Sequence, residues 1–181
     1  MEEVEKYTLL WDLPQGYGNN YEHPYWVEII GTLTKEMGLH SFHSVLDVGG
    51  GDGRMKKFFP NHEYTALDLA PNSGADIIAD IVTWDRDDVY DWVISIDVME
   101  HLPTIQVAEA IATIYDATRE GAAFLISTRP DRGGKKIGQI LHMTVRPPEW
   151  WVKEFGKFFQ DVTLLRVVKG EYCLLVCRHV N

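Results

Sequence analysis

Cysteine is scarce: Cys173 and Cys177 are the only two in 181 residues. Four apart in a strand-like run, their Cα atoms would lie about 13 Å apart, whereas a disulfide needs them within about 7 Å. No Cys-x-x-Cys spacing occurs, and the close histidine pair His40 and His43 has no acid or thiol beside it. Neither a disulfide framework nor a metal centre is expected. Long apolar runs are also missing; the longest reach about half a dozen residues, far short of the ~20 that cross a bilayer. The acidic start, Met1-Glu2-Glu3-Val4-Glu5, lacks the apolar stretch of an export signal. A cytoplasmic protein with no membrane partner is expected. Positive charge is short as well. Seventeen Lys and Arg face 27 Asp and Glu, a net −10, which repels nucleic acid as a general background.

The deficit is uneven. Arg129, Arg132, Lys135, Lys136 and Arg146 stand in one stretch against a single acid, Asp131. A basic segment on an acidic body is either a docking feature or a solvated glycine-rich loop. The apolar content of 45% is that of a globular chain, and the length suits one domain with its own core.

Short apolar runs alternate with helix-period stretches. Strands are predicted at Ser44 to Val48, Glu63 to Asp68, Asp76 to Ala79, Asp91 to Ile96 and Ala122 to Ser127. Most lack clean polar alternation, as in a parallel sheet covered on both faces. Val162 to Val168 and Tyr172 to Val180 flank Lys169-Gly170-Glu171, a hairpin signal. Helices are predicted from Pro24 to a stop at Gly38, from Val107 to a stop at Gly121, and along Trp151, Phe155, Phe158 and Phe159. Only Leu69 to Ala75 separate the second and third strands, too few for a crossover helix. The expected fold is one α/β domain over residues 1–181, doubly wound, with an N-terminal segment (1–40) and a loop (129–150) outside the sheet.

After the first strand comes Gly49-Gly50-Gly51-Asp52-Gly53. The dinucleotide spacing GxGxxG does not fit, and no Lys-Ser/Thr follows, so this is not a phosphate-binding P-loop. Asp47, Asp52, Asp68, Asp80, Asp97 and Glu100 all fall at or just past strand C-termini, where such a sheet binds ligand. Six carboxylates oppose a pyrophosphate. They suit a ligand offering an ammonium, a sulfonium, ribose hydroxyls and an adenine amine, as S-adenosyl-L-methionine (SAM) does. Taken one at a time, acids at strand ends are ordinarily caps.

These residues resemble the class I SAM-dependent methyltransferases, specifically the small type 11 and type 12 groups. The resemblance is carried by VLDVGGGDG at 45–53, TALDLAP at 65–71, ADI at 79–81 and ISIDVMEHLP at 94–103. It implies a Rossmann-like three-layer sandwich with a seven-stranded, mostly parallel sheet and an antiparallel strand in the C-terminal hairpin. It further implies that Gly49, Gly50 and Gly51 face the methionine end of SAM, oriented by Asp47. Asp68 should take the ribose hydroxyls, with Leu69 beside the adenine. Asp80 should meet the adenine amine and the Ile81 amide a ring nitrogen. The stretch from Asp97 and Val98 to His101 should flank the methionine. The missing helix after the second strand leaves a gap that Trp84 would close, unless Trp84 is a core or surface residue.

The acceptor is less legible. Duplex DNA is argued against: Asp97-Val98-Met99-Glu100 lacks the Pro-Pro-aromatic pattern of amino-methylating enzymes, and no Pro-Cys exists for cytosine C5 chemistry. Tyr7, Trp11, Tyr17, Tyr21, His23, Tyr25 and Trp26, around Gly16 and Gly18, form either an aromatic lid or packing for the N-terminal helix. Tyr17 and Tyr21 are the substrate candidates there; Arg132 and Arg146 are those of the basic loop, where Gly133, Gly134 and Gly138 would serve as hinges. The expected function is methyl transfer to a small-molecule or glycan acceptor, anionic if the basic loop flanks it. A SAM-binding protein with another reaction or a regulatory role, and an RNA-modifying enzyme, are the alternatives. If the acceptor is a hydroxyl, His142 is the candidate base, since an imidazole is largely neutral near pH 7. His101 is its rival, and packing or capping of the following helix is the plain alternative for His142.

Overall fold

The computed structural model describes residues 2–14, 17–85 and 88–180. Helix α1 (Glu3–Trp11) opens the chain, started by a capping box between Glu2 and Glu5. Helix α2 (Pro24–Met37) follows, capped by His23, whose ring accepts the Tyr25 amide at 3.2 Å, and ended by Gly38 in the left-handed conformation. Strands β1 (Ser44–Val48), β2 (Glu63–Asp68), β3 (Ile77–Ile78) and β4 (Tyr90–Ile96) come next. Helix α3 (Val107–Ala117), strand β5 (Thr118–Ser127), helix α4 (Pro148–Phe155) and strands β6 (Asp161–Val168) and β7 (Tyr172–Arg178) complete the fold.

The sheet runs β3-β2-β1-β4-β5-β7-β6. The first five strands in this order pair parallel; β7 pairs antiparallel with both β5 and β6. This is the doubly wound sheet with an antiparallel hairpin strand expected from the sequence, and its order reverses at β1 and β4, where such sheets bind ligand. One face packs Ile29, Ile30, Leu33 and Met37 of α2 onto Val45, Ile94, Leu125 and Leu174. The other packs Ile111 and Ile114 of α3 and Trp151 and Phe155 of α4 onto Leu46, Val93, Phe124 and Leu175. Cys173 and Cys177, two strand repeats apart, both face this second layer as buried free thiols.

Several boundaries differ from the sequence reading, most by one or two residues. Strand β5 begins at Thr118, directly after α3, where the Thr118 hydroxyl accepts the Gly121 amide and has the Asp91 and Gly121 carbonyls as alternative acceptors for its one proton. Gly121 is therefore a strand residue and not a helix stop; a Cβ there would sit 2.1 Å from the Cys177 carbonyl oxygen. Helix α4 ends at Phe155, so Phe158 and Phe159 pack from the turn beyond it. The crossover from β1 to β2 is also reduced, to a 3₁₀ turn over Arg54–Phe58. No described helix is long and apolar enough to cross a membrane.

Candidate active site

A cavity of about 360 Å³ opens at the carboxyl ends of β1, β2 and β4. That is within the range of small-molecule sites. Its floor is the glycine loop, tied down by the Gly49 and Gly50 amides, which donate to the Leu67 carbonyl at 2.7 and 3.1 Å. Gly49 and Gly51 have φ of +74° and +54°. A Cβ on Gly49 would lie 2.3 Å from Val98, and one on Gly51 2.5 Å from the Trp11 ring. Two positive-φ residues with side chains pressed against them admit only glycine.

Asp68 ends β2 and faces the cavity. Its carboxylate accepts the Gly51 amide at 3.0 Å and the Ala70 amide at 2.9 Å. Burial raises it from the usual carboxylate value, against those amides. Each oxygen still has a lone pair to offer. Leu69, Asp80 and Ile81 line the same end. Asp80 fixes its own turn by accepting the Val82 amide at 2.9 Å.

Asp97, just past β4, also faces the cavity, in the left-handed conformation at φ +54°. Asp tolerates this better than most residues, and such local strain is often held at functional sites. It accepts a long hydrogen bond, 3.4 Å, from Asn19 of the N-terminal segment. Behind it, Glu100 is fully buried and accepts the Ser127 amide at 2.7 Å. Burial and the neighbouring Asp97 push Glu100 well above the usual carboxylate range, and burial raises Asp97 as well.

The N-terminal segment covers the cavity with part of its aromatic set. Tyr7, Trp11, Tyr17 and Tyr21 line it. Trp11 and Tyr17 meet edge to face at 5.7 Å. Trp26 packs on the α2 core, and Tyr25 contacts Trp26 and Tyr172 outside the cavity. His23 serves as the helix cap. The two readings of this cluster thus divide it: the first four rings face the ligand space and the later ones pack. Gly18 lines the cavity, while Gly16 lies outside the described residues.

On the opposite wall, His101 and His142 meet edge to face at 4.8 Å. Tyr7 hydrogen-bonds His101 Nδ1 at 2.7 Å, tying α1 to the sheet. Burial pushes the His101 imidazole down to about 3, so it is neutral. His142 Nδ1 lies 2.7 Å from the Arg129 carbonyl oxygen. A carbonyl only accepts, so Nδ1 carries the proton and Nε2 keeps its lone pair. His142 caps no helix; the residue before α4 is Pro147. Arg129, Arg132 and Lys136 complete this wall. The loop is held by Asp131, which accepts the Gly134 and Leu141 amides at 2.6 and 3.0 Å. Gly134 is a contact glycine and not a hinge, since a Cβ would sit 2.0 Å from the Gln139 carbonyl oxygen.

Several sequence candidates lie elsewhere. Asp47 is buried under the glycine loop, accepting the Tyr64 hydroxyl, and does not line the cavity. Arg146 does not line the cavity; it stands 5.8 Å from the Trp150 ring beside a separate depression. Trp84 packs on the α3 layer and closes no pocket wall. Asn19, which nothing in its sequence surroundings marks, is the residue the sequence reading missed.

A model of the methyltransferase domain family matches residues 21–170. No curated protein sequence matches the chain. Among solved structures, the fold is similar to the N-methyltransferase NodS from Bradyrhizobium japonicum WM9 in complex with S-adenosyl-L-homocysteine, with TM-score 0.68, 14% identity and 98% of each chain covered. It is similar also to magnesium protoporphyrin IX methyltransferase from Synechocystis PCC 6803 with bound S-adenosyl-L-homocysteine (TM-score 0.60, 15% identity, 97% of this chain and 94% of that one). Phosphoethanolamine N-methyltransferase 2 from Haemonchus contortus in complex with SAM gives TM-score 0.65 and 13% identity over 98% of this chain and 57% of that one. The chain belongs to the methyltransferase domain family and has the class I, Rossmann-like fold of SAM-dependent methyltransferases.

Proposed function

We propose that the protein binds SAM between the glycine loop, Asp68, Asp80 and Asp97, and transfers its methyl group to an anionic small molecule or glycan end group. The carrying observation is the division of charge across one cavity. Asp68, Asp80 and Asp97, with Asp52 paired to Arg54, line the cavity from the strand ends, and Arg129, Arg132 and Lys136 outnumber Asp131 on the loop after β5. The acidic side fits hydroxyl, amine and ammonium donors and repels phosphate; Gly49, Gly50 and Gly51 give the close backbone approach that a flat ligand needs. Leu69 and Ile81 supply the apolar contacts for the adenine. When bound, SAM supplies a methyl group already activated on a sulfonium.

The chain's own work is then placement and exclusion of water, which contributes up to about 7–11 kcal/mol. Tyr7, Trp11, Tyr17 and Tyr21 shut the mouth. Arg129 and Arg132 hold the acceptor's phosphate or carboxylate in exchange for Glu171, which now pairs them at 2.8 and 3.6 Å. For a hydroxyl acceptor, His142 Nε2 takes the proton. The test is transfer of labelled methyl from SAM into a host extract fractionated by anion exchange. Label in the retained small-molecule or glycan fraction supports the reading. Label only in neutral compounds removes the anionic acceptor, label only in RNA moves the protein to the nucleic-acid-modifying class, and SAM binding without label in any fraction favours a regulatory role.

A further inference from the structure

At the acceptor end stands a donor group that methyl transfer by placement alone does not require. Ligand atoms of Glu100, His101 and His142, one from each, lie within 4.8 Å of one another. Glu100 is fully buried, and while one oxygen takes the Ser127 amide, the other, Oε2, has no donor from the protein. Its neighbour is Asp97, a second carboxylate. A fully buried carboxylate beside a second one needs positive charge close to it. A proton meets that need, and so does a metal ion.

The imidazoles are arranged for the second case. A ligating histidine characteristically gives its other N–H to a carbonyl or a similar acceptor, which fixes ring and tautomer. His142 does this with the Arg129 carbonyl and keeps Nε2 free. The His101 ring is engaged on both sides, at Nδ1 by the Tyr7 hydroxyl 2.7 Å away and by a hydrogen bond to the Leu141 main chain, and ligation through Nε2 must displace the second. In a four-coordinate site ligand atoms sit about 3.4 Å apart. Atoms spaced as widely as 4.8 Å must therefore close by roughly 1.4 Å on ligation.

We propose that Glu100, His101 and His142 hold a divalent first-row transition-metal cation at the acceptor end of the cavity. Two imidazoles and a carboxylate suit zinc, manganese or iron(II) better than calcium. Three protein ligands leave a position open for an oxygen of the acceptor. That role rests on the function proposed above; the binding itself does not. In the loaded protein His142 is a ligand, and its part as a base is confined to the cation-free form.

The test uses the full chain, stripped with chelator and dialysed, without SAM. It is titrated calorimetrically with Zn²⁺, and with Co²⁺ followed by visible absorption. One equivalent is expected to bind, at least tenfold more weakly in His142→Ala and in Glu100→Gln. The double variant His40→Ala/His43→Ala removes the surface pair whose rings lie 5.3 Å apart and should bind as the wild type does. If Glu100→Gln does not fold, His142→Ala alone decides. Binding unchanged in His142→Ala, binding lost with the His40/His43 pair, or no binding tighter than about 1 mM in the wild type overturns the proposal. SAM affinity is measured on the same samples. A chain that loses its cation with His142→Ala yet binds no SAM keeps the metal site and sinks the methyltransferase reading.

Discussion

Replacing Asp47 by Asn should change how stability depends on pH. Asp47 ends up 2% exposed beneath the glycine loop, with the Tyr64 hydroxyl donating to it. Burial pushes its carboxyl from 3.8 up to about 7, despite that hydrogen bond. Between those values the folded state keeps the proton and the unfolded chain gives it up. The contribution is therefore complete below about pH 4 and is lost as pH rises through about 7. At roughly 1.4 kcal/mol per unit, the full effect is at most about 4 kcal/mol, and about 2–3 kcal/mol of it falls between pH 5 and pH 8. Asn still accepts from Tyr64 but does not titrate. Urea unfolding of both proteins at pH 5, 6, 7 and 8 gives the difference directly, and the Asp97–Glu100 pair, common to both, cancels. The wild type should lose about 2–3 kcal/mol relative to Asp47→Asn across this range. Parallel stability curves would refute the argument and mean that Asp47 is ionised as folded.

Gly51→Ala should lower both SAM affinity and the unfolding midpoint, because φ is +54° and the Trp11 ring lies 2.5 Å from the new Cβ; adding Trp11→Ala should restore part of the stability but not the affinity, as thermal scans with and without SAM will tell. Arg132→Ala should raise acceptor KM with SAM affinity unchanged, whereas Arg146→Ala, outside the cavity, should leave both as they were; equal effects of the two would make the loop structural. His142→Ala should lower kcat by about 10²–10⁴-fold for a hydroxyl acceptor with SAM binding intact, and a loss under tenfold would leave placement as the whole contribution.

What could be read in the sequence follows from which forces are local. Strands β1, β2 and β4 were visible because burial on both faces leaves near-continuous apolar runs, and the ligand end was visible because glycines and acids recur where those runs stop. Helix α1 was not, since its nine residues bury only Lys6 and Leu10 and show little period. Gly121 and Gly134 look like a stop and a hinge in sequence, yet each is required by a carbonyl that only the folded chain brings near. Arg132 and Arg146 are near along the chain, yet in the fold Arg132 lines the cavity and Arg146 stands beside a separate depression. The burial of Glu100 beside Asp97 and the contact of His142 Nδ1 with the Arg129 carbonyl depend on elements that no spacing brings together.

The most direct measurement is a calorimetric titration of the full chain with SAM and with its demethylated product, repeated on Asp68→Ala. One site of micromolar affinity, about −8 kcal/mol, is predicted for both ligands. In the variant both should weaken by about 1.5–3 kcal/mol, the worth of hydrogen bonds to a charged group. Binding of NAD without SAM, or affinity for SAM unchanged by Asp68→Ala, would contradict the placement of the cofactor in this cavity.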